Sequence, residues 1–172
     1  ETRLPQDGQI SVTIIEKNMD DNKNPEIDIR VGSVSTIYGE KLTLRVLDSN
    51  KIDLKLENLG FSEKQLTSLE NIIRYPQGML LVTGPTGSGK TTTLFSILNQ
   101  IKGIANNIVT IEDPVEYRIS WLNQVEVNDK IGLTFANACR SFLRLDPDVI
   151  LVGEIRDQET AHIAVQNALV GT

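Results

Sequence analysis

A chain of 172 residues, 40% of them hydrophobic, can bury an ordinary packed core in one domain or in two small ones. Its formal net charge of −6 disfavours a nonspecific hold on nucleic acid, and a single Cys and a single His exclude an internal disulfide and a protein zinc site within this sequence. The sequence has neither an apolar run long enough for a membrane span nor a secretory signal, so we expect a cytoplasmic protein without a transmembrane segment.

Alternating apolar and polar residues predict β-strands in the first third of the chain. This pattern is typical of half-buried strands, and it covers residues 9–17, 27–34, 41–47 and 51–56. Pro25 lies in a polar segment after the first of them and disfavours a continued sheet there. We therefore predict that residues 1–57 form a small, β-rich part of an α/β domain, with a domain boundary near residue 58.

After residue 58 the pattern changes to that of an α/β domain with a parallel sheet. Ser62 and Gln65 have the spacing of a capping box and predict the start of a helix. The later elements alternate between strands and helices, which is typical of a parallel sheet; they are strand 79–83, helix 89–102, strand 107–112, helix 134–145, strand 148–152 and helix 157–169. Cys139 lies on the apolar stripe of helix 134–145, so we expect it in the core and not as a nucleophile.

A glycine-rich segment between the predicted strand 79–83 and the predicted helix 89–102 fits the phosphate-binding pattern G-x-x-x-x-G-K-[ST]. It consists of Gly84, Pro85, Thr86, Gly87, Ser88, Gly89, Lys90 and Thr91. Glycines let backbone N–H groups approach a polyphosphate, and the helix that follows adds the positive end of its dipole. We expect Lys90 to reach the β- and γ-phosphates and the Thr91 hydroxyl to bind Mg²⁺. The alternative is a simple turn between strand and helix.

Carboxylates follow two of the predicted strands. Glu112 and Asp113 end the strand 107–112, and Gly153 and Glu154 follow the strand 148–152. The carboxyl ends of parallel strands form the ligand crevice of such sheets, so both acidic groups are expected to face the nucleotide. A carboxylate there could orient or deprotonate the attacking water. For each acid taken alone, a solvated loop position is the alternative.

Several stretches resemble the secretion ATPases of the type II secretion and type IV pilus systems. These are residues 84–94, 110–117 and 145–157, and the resemblance extends upstream to residues 4–8 and 38–45. The upstream stretches are more similar to the members that drive pilus extension or export than to the retraction motor. The resemblance implies that residues 58–172 are the first portion of a RecA-like P-loop NTPase core, preceded over residues 1–57 by part of the family's second N-terminal domain.

The resemblance also implies roles for the acidic residues. It places the Walker A loop at residues 84–92, which adds Thr92 to the nucleotide-binding set, and it places Glu112, Asp113 and Glu116 in the family's aspartate box. Glu154 matches the Walker B glutamate, the general base of the family. Gly153 stands where many P-loop proteins carry a Mg²⁺-binding aspartate. Metal contact is therefore expected from Thr91, phosphate oxygens and water, with Glu154 or Asp113 reaching the ion through water.

Two arginines of the first domain belong to the same implied site. Arg30 and Arg45 take the polar phase of their predicted strands, and they match family arginines that approach the γ-phosphate across an interdomain cleft. A cation there stabilises charge that develops during phosphoryl transfer. Solvated strand arginines are the alternative. For Arg156 and Asp157, a helix cap with an ion pair is an equal alternative to a role at the site.

The implied function is that of an ATP-driven motor. ATP hydrolysis with Mg²⁺ in a hexamer would swing one domain against the other and push on an inner-membrane platform of a pilus or secretion system, with the protein peripheral to that membrane. One alternative is a RecA-like nucleic-acid motor, which the acidic charge disfavours. Another is a nucleotide-binding interaction module with little turnover, because family members continue beyond residue 172 into further strands and a histidine-bearing box.

Overall fold

The computed structural model describes residues 4–13, 26–47, 54–105 and 107–171. The chain divides into two compact units, Glu1–Ile52 and Asp53–Thr172. No helix within the described ranges combines the length and the apolar character that a membrane crossing needs. That residues 1–57 belong to a second N-terminal domain, and residues 58–172 to the first portion of a RecA-like domain, stays a prediction.

The first unit contains an antiparallel sheet of three strands in chain order. Its strands are β1 (Gln6–Thr13), β2 (Glu26–Thr36) and β3 (Gly39–Leu47). Alternation places apolar residues on one face, where Ile10 lies opposite Ile29 and Ile29 lies opposite Val46. The strands predicted at 27–34 and 41–47 are confirmed. The strand predicted at 9–17 is confirmed over residues 9–13, and residues 14–17 lie outside the described residues.

The second unit begins with two short helical segments. A 3₁₀ helix spans Leu56–Leu59, so the strand predicted at 51–56 is wrong where it can be compared, and residues 51–53 lie outside the described residues. Leu56 is buried, and packing of this leucine overrides a short alternating pattern. Helix α1 (Glu63–Ile72) then begins at Ser62 with the predicted capping box, in which Ser62 and Gln65 bond reciprocally.

A parallel sheet forms the centre of the second unit. Its strands β4 (Ile108–Glu112), β5 (Asn123–Glu126) and β6 (Val149–Val152) pair in the order β5-β4-β6. The sheet packs with three helices, α2 (Lys90–Ile101), α3 (Phe135–Phe142) and α4 (Gln158–Val170). These bounds agree with the predicted elements within one to three residues, and the parallel arrangement is confirmed. Strand β5 was not predicted, because its four residues, NQVE, carry no apolar pattern.

Residues on alternate sides of β4 belong to two apolar clusters. Ile108 packs with α2 residues such as Phe95 and Leu98, whereas Val109 and Ile111 pack with residues of α3 and α4. Cys139 lies in the second of these clusters and is fully buried, as predicted, and burial raises the pKa of its thiol to about 11. Helices therefore cover both faces of the central strand, which fixes the ends of β4 and its neighbours as a rigid base for the site.

The strand predicted at 79–83 is wrong. Within the described chain, residues 79–83 pair with no strand, and Met79 and Leu81 are 43% and 65% exposed. Together with residues of β6 they line a cavity of about 430 Å³. A strand needs a hydrogen-bonded neighbour, and an apolar run in the sequence does not show whether that neighbour is present.

Candidate functional site

The glycine-rich loop leads directly into the N-terminus of α2. Gly87 and Gly89 have φ angles of 78° and 87°, a left-handed conformation that other residues adopt only at a cost. Gly89 is also the N-cap of α2, and no side chain caps the helix there. The first backbone N–H groups of a helix have no intrahelical partner, so in this loop they are available to an anion.

Lys90 folds back onto the loop. Its Nζ donates hydrogen bonds to the carbonyl oxygens of Gly84 and Pro85, at 3.0 and 2.9 Å. Both partners are neutral, so a phosphate oxygen would be the stronger acceptor for this ammonium group. Thr91 follows in the first turn of α2, and its hydroxyl makes no hydrogen bond within the part of the chain that the structure describes. The remaining predicted loop residues, Thr86 and Ser88, are exposed, and Thr92 is half-buried in α2.

The carboxyl ends of β4 and β6 lie side by side. The Gly153 N–H donates to the Ile111 carbonyl oxygen at 2.8 Å, one residue beyond the β4–β6 ladder. A Cβ atom added at Gly153 would lie 3.0 Å from that oxygen and 3.3 Å from the Cα of Glu112. The close contact favours glycine, because a larger side chain such as that of an aspartate would push the neighbouring backbone away. It also brings Asp113 and Glu154 to one edge of the sheet.

Arg156 joins these two acids. Its Nη2 lies 2.6 Å from Glu154 Oε1, and its Nη1 lies 3.3 Å from Asp113 Oδ2. The hydrogen bond and charge of Glu154, and then the charge of Asp113, raise the pKa of the guanidinium above its ordinary value. Asp157 caps α4 by accepting from the Thr160 N–H and hydroxyl, which lowers the pKa of this carboxyl. The structure thus shows a helix cap and an ion pair at Arg156 and Asp157.

Glu112 points inward, unlike its neighbour Asp113. It is 5% exposed, and its Oε1 accepts hydrogen bonds from the Thr110 hydroxyl at 2.6 Å and from Gln124 Nε2 at 3.0 Å. Gln124 also donates to the Tyr117 carbonyl and accepts from the Ile119 N–H. Gln124 therefore ties the segment after β4 to Glu112. Sequence reasoning missed it because a glutamine on a short polar strand gives no signal of its own.

Arg30 and Arg45 lie directly opposite each other in the β2–β3 pair. Residues at opposite positions share one face of an antiparallel sheet, and two like charges in this arrangement are destabilising. The Nε of Arg30 is buried and has no hydrogen-bond partner among the described residues. The sequence placed both arginines on the polar phase, and the register shows that they are also neighbours. An anion bound to both would offset their repulsion.

The described residues contain no group of three or more His, Cys, Asp or Glu side chains that could hold a metal ion. A Mg²⁺ ion bound with a nucleotide does not require such a group, because it keeps several waters and takes other ligands from phosphate oxygens. The Thr91 hydroxyl, next to the uncapped start of α2, fits that mode of binding.

Comparison with known proteins gives the family of the chain. The family model described as type II/IV secretion system protein matches residues 1–172. The chain belongs to the type II/IV secretion system protein family. Among its relatives, the type IV pilus assembly ATPase PilB of Myxococcus xanthus is 51% identical over 171 residues, which are 99% of this chain and 29% of that protein. The type II secretion system protein HxcR of Pseudomonas aeruginosa is 50% identical over 99% of this chain and 35% of its own length. The chain thus spans about a third of these family members.

Solved structures of two ATPases share the fold. The pilus retraction motor PilT, solved with bound ADP, matches with a TM-score of 0.71 and 36% identity over 95% of this chain and 45% of that chain. The ATPase DotB of Yersinia pseudotuberculosis matches with a TM-score of 0.75 and 26% identity over 98% of this chain and 45% of that chain. These likenesses confirm the predicted α/β class of this family member.

Proposed function

We propose that this chain carries the ATP-binding and ATP-hydrolysing part of a motor that powers type II protein secretion or type IV pilus assembly. The observation that carries the proposal is the loop of residues 84–91, whose left-handed glycines lead into a helix N-terminus that no side chain caps. The similarity to a pilus assembly ATPase and to a motor solved with ADP supports adenine nucleotide as the ligand.

Each part of the loop has a proposed task. The N–H groups of residues 86–92, at the end of the loop and the start of α2, bind the phosphate oxygens, and Lys90 exchanges its two carbonyl partners for the β- and γ-phosphates. The Thr91 hydroxyl would hold Mg²⁺, and the ion would neutralise charge on the phosphates.

Glu154 is the proposed general base. Its side chain is 38% exposed and can reach water, whereas Glu112 is buried and its Oε1 already accepts two hydrogen bonds. We assign Glu112 to holding the strand end in place, and Asp113 to a contact with the metal through water. Arg30 and Arg45 are the proposed cations for the charge that develops during phosphoryl transfer, supported by their cross-strand pairing.

The proposal also covers the oligomeric state, the location and the partners of the intact protein. As in the family that the sequence resembles, we propose a hexamer in the intact protein, located in the cytoplasm and bound to inner-membrane platform proteins. No direct contact with nucleic acid is proposed, given the net charge of −6.

Phosphate release with ATP and Mg²⁺ tests the catalytic assignment. Replacement of Glu154 by Gln should lower kcat roughly 10²- to 10⁴-fold, because it removes the base, and should leave ATP affinity within about twofold. Glu159→Gln is the matched control, since Glu159 is an exposed glutamate that pairs with Arg140. Equal rates of phosphate release for the wild type and Glu154→Gln would show that Glu154 is not the general base.

The same measurements separate the two alternatives. A wild type that binds ATP tightly and releases no phosphate would be a binding module. Retention on single-stranded DNA that falls steeply with salt would favour a nucleic-acid motor, because phosphate contacts release counterions. We expect turnover of ATP and no such retention.

A further inference from the structure

Arg156 connects two carboxylates that come from different strands. Its guanidinium uses a separate nitrogen for each of them, Nη2 for Glu154 and Nη1 for Asp113. Asp113 follows β4 and Glu154 lies just beyond β6, 41 residues later in the chain, and their backbones meet through the bond between Gly153 and Ile111. Two like charges at adjacent strand ends repel each other, and Arg156 supplies the charge that offsets this repulsion.

The backbone around Arg156 is held at both ends. Gly153 is fixed to Ile111 on one side, and Asp157 binds the Thr160 N–H at 2.7 Å on the other. Thr160 is buried, so the start of α4 is anchored to the core. Only Glu154, Ile155 and Arg156 lie between these anchors, and the planar fork of the arginine faces the two acids.

Stability does not explain this arrangement. The Arg156 side chain is 64% exposed, and exposed ion pairs contribute little to the free energy of folding. A second exposed pair, Arg140 with Glu159, joins α3 to α4 and involves neither strand-end carboxylate. Both pairs are exposed to solvent, and they differ in the segments that they connect, so Arg140 is a suitable control for Arg156.

We propose that Arg156 is a positioning residue, which holds the carboxylate of Glu154 beside Asp113 at the joined ends of β4 and β6. The inference rests on the proposed function, in which Glu154 is the base and Asp113 meets the metal through water. Arg156 does not touch the reacting atoms in this account. It keeps Glu154 in the one orientation from which a water between the two acids and the phosphate can be activated.

Steady-state phosphate release by Arg156→Gln, Arg156→Lys and the control Arg140→Gln tests the proposal. Arg156→Gln should lower kcat roughly 10- to 100-fold, less than full loss of the base, with KM within about threefold of wild type. Arg156→Lys keeps the charge but loses the fork that reaches both acids, so it should recover only a small part of the rate. Arg140→Gln should match the wild type. An unchanged kcat in Arg156→Gln, or a rise in KM alone, would overturn the proposal.

A side-chain NMR measurement separates this inference from the proposed activity. A guanidinium whose Nη1 and Nη2 are both bound rotates slowly about its Nε–Cζ bond. Arg156 should therefore give separate Nη signals, which should merge in Glu154→Gln and in Asp113→Asn. If the wild type releases no phosphate, the proposed function fails. In that case separate Nη signals would still support the bridge, and one averaged signal in the wild type would exclude it.

Discussion

The glycine-rich loop and the acidic edge of the sheet are built in opposite ways. The loop of residues 84–91 is a continuous stretch, and in the proposed function its backbone groups bind the phosphates while Lys90 supplies the charge. The acidic edge consists of side chains from segments 41 residues apart, Asp113 after β4 and Glu154 after β6, held by one arginine. The loop should therefore be sensitive to changes of backbone conformation. The edge should be sensitive to the identity of side chains and to the distance between two strands.

The largest expected effect concerns the charge in the loop. Lys90→Ala should lower kcat/KM for ATP roughly 10²- to 10³-fold, because it removes a preorganised donor to the phosphates. Lys102→Ala is the control at the other end of the same helix, where the ammonium lies 4.9 Å from the centre of the Trp121 ring. That variant should keep its turnover and lose only about 0.5–1 kcal/mol of stability. A Lys90→Ala protein with wild-type affinity and rate would show that the loop does not hold phosphate.

The next largest effect is expected from replacing Gln124, which donates hydrogen bonds to Glu112 and to the Tyr117 carbonyl oxygen. Gln124→Ala leaves the buried Glu112 with one fewer donor and frees the segment at Tyr117. We expect a loss of about 1–3 kcal/mol in the free energy of unfolding, measured by urea denaturation. Gln100→Ala, on the exposed side of α2, should change it by less than about 0.5 kcal/mol. Equal losses of unfolding free energy in the two variants would mean that the hydrogen bonds of Gln124 do not stabilise the fold.

Alanine substitutions at two glycines distinguish the effect of backbone conformation in the loop from the effect of the spacing between strand ends. At Gly89 an added methyl group meets nothing within 4 Å, but φ is 87°. Gly89→Ala should therefore destabilise the binding conformation of the loop by about 1–2 kcal/mol, which would weaken ATP binding roughly 5- to 30-fold. At Gly153 the added group meets the Ile111 carbonyl at 3.0 Å. Gly153→Ala should move the strand ends apart and lower kcat roughly threefold to tenfold, with ATP affinity unchanged. If both variants altered the same parameter, the distinction between loop and edge would fail.

The smallest expected effect is a dependence of stability on acid pH at the start of α4. Hydrogen bonds from Thr160 lower the pKa of Asp157 in the folded chain. The cap therefore contributes fully above the pKa of the unfolded aspartate, about pH 4, and its contribution is lost as the pH falls through the lower folded value. Asp157→Asn keeps a capping oxygen without the titration. Above about pH 4 the wild type should have the higher unfolding midpoint, and below it this advantage over Asp157→Asn should shrink. An advantage that does not change with pH would contradict the cap.

Local signals in the sequence predicted much of this molecule. The capping box at Ser62 and Gln65, the glycine-rich loop and the apolar stripe that contains Cys139 are each defined within a few residues, and each has the expected local structure. The parallel sheet followed from the alternation of strands and helices. In these cases, hydrophobic periodicity and capping chemistry are properties of a single segment.

The errors concern pairing between distant segments. Residues 79–83 have the composition of a strand and no partner strand in the described chain, whereas the polar residues Asn123–Glu126 form β5 because β4 lies beside them. The roles of Gln124 and Arg156 likewise depend on the register of β4 with β5 and β6. Register joins residues far apart in the chain, so reading one segment at a time does not reveal it.

A titration of the protein with ATP and Mg²⁺, followed through its backbone amide NMR signals, tests whether the loop of residues 84–91 binds the phosphates. We expect the largest shifts at the N–H groups of residues 86–92, at the end of the loop and the start of α2, with smaller shifts at Asp113 and Glu154. The signals should saturate with a single affinity. Shifts confined to other parts of the chain, with residues 86–92 unchanged at saturating nucleotide, would contradict phosphate binding by the loop.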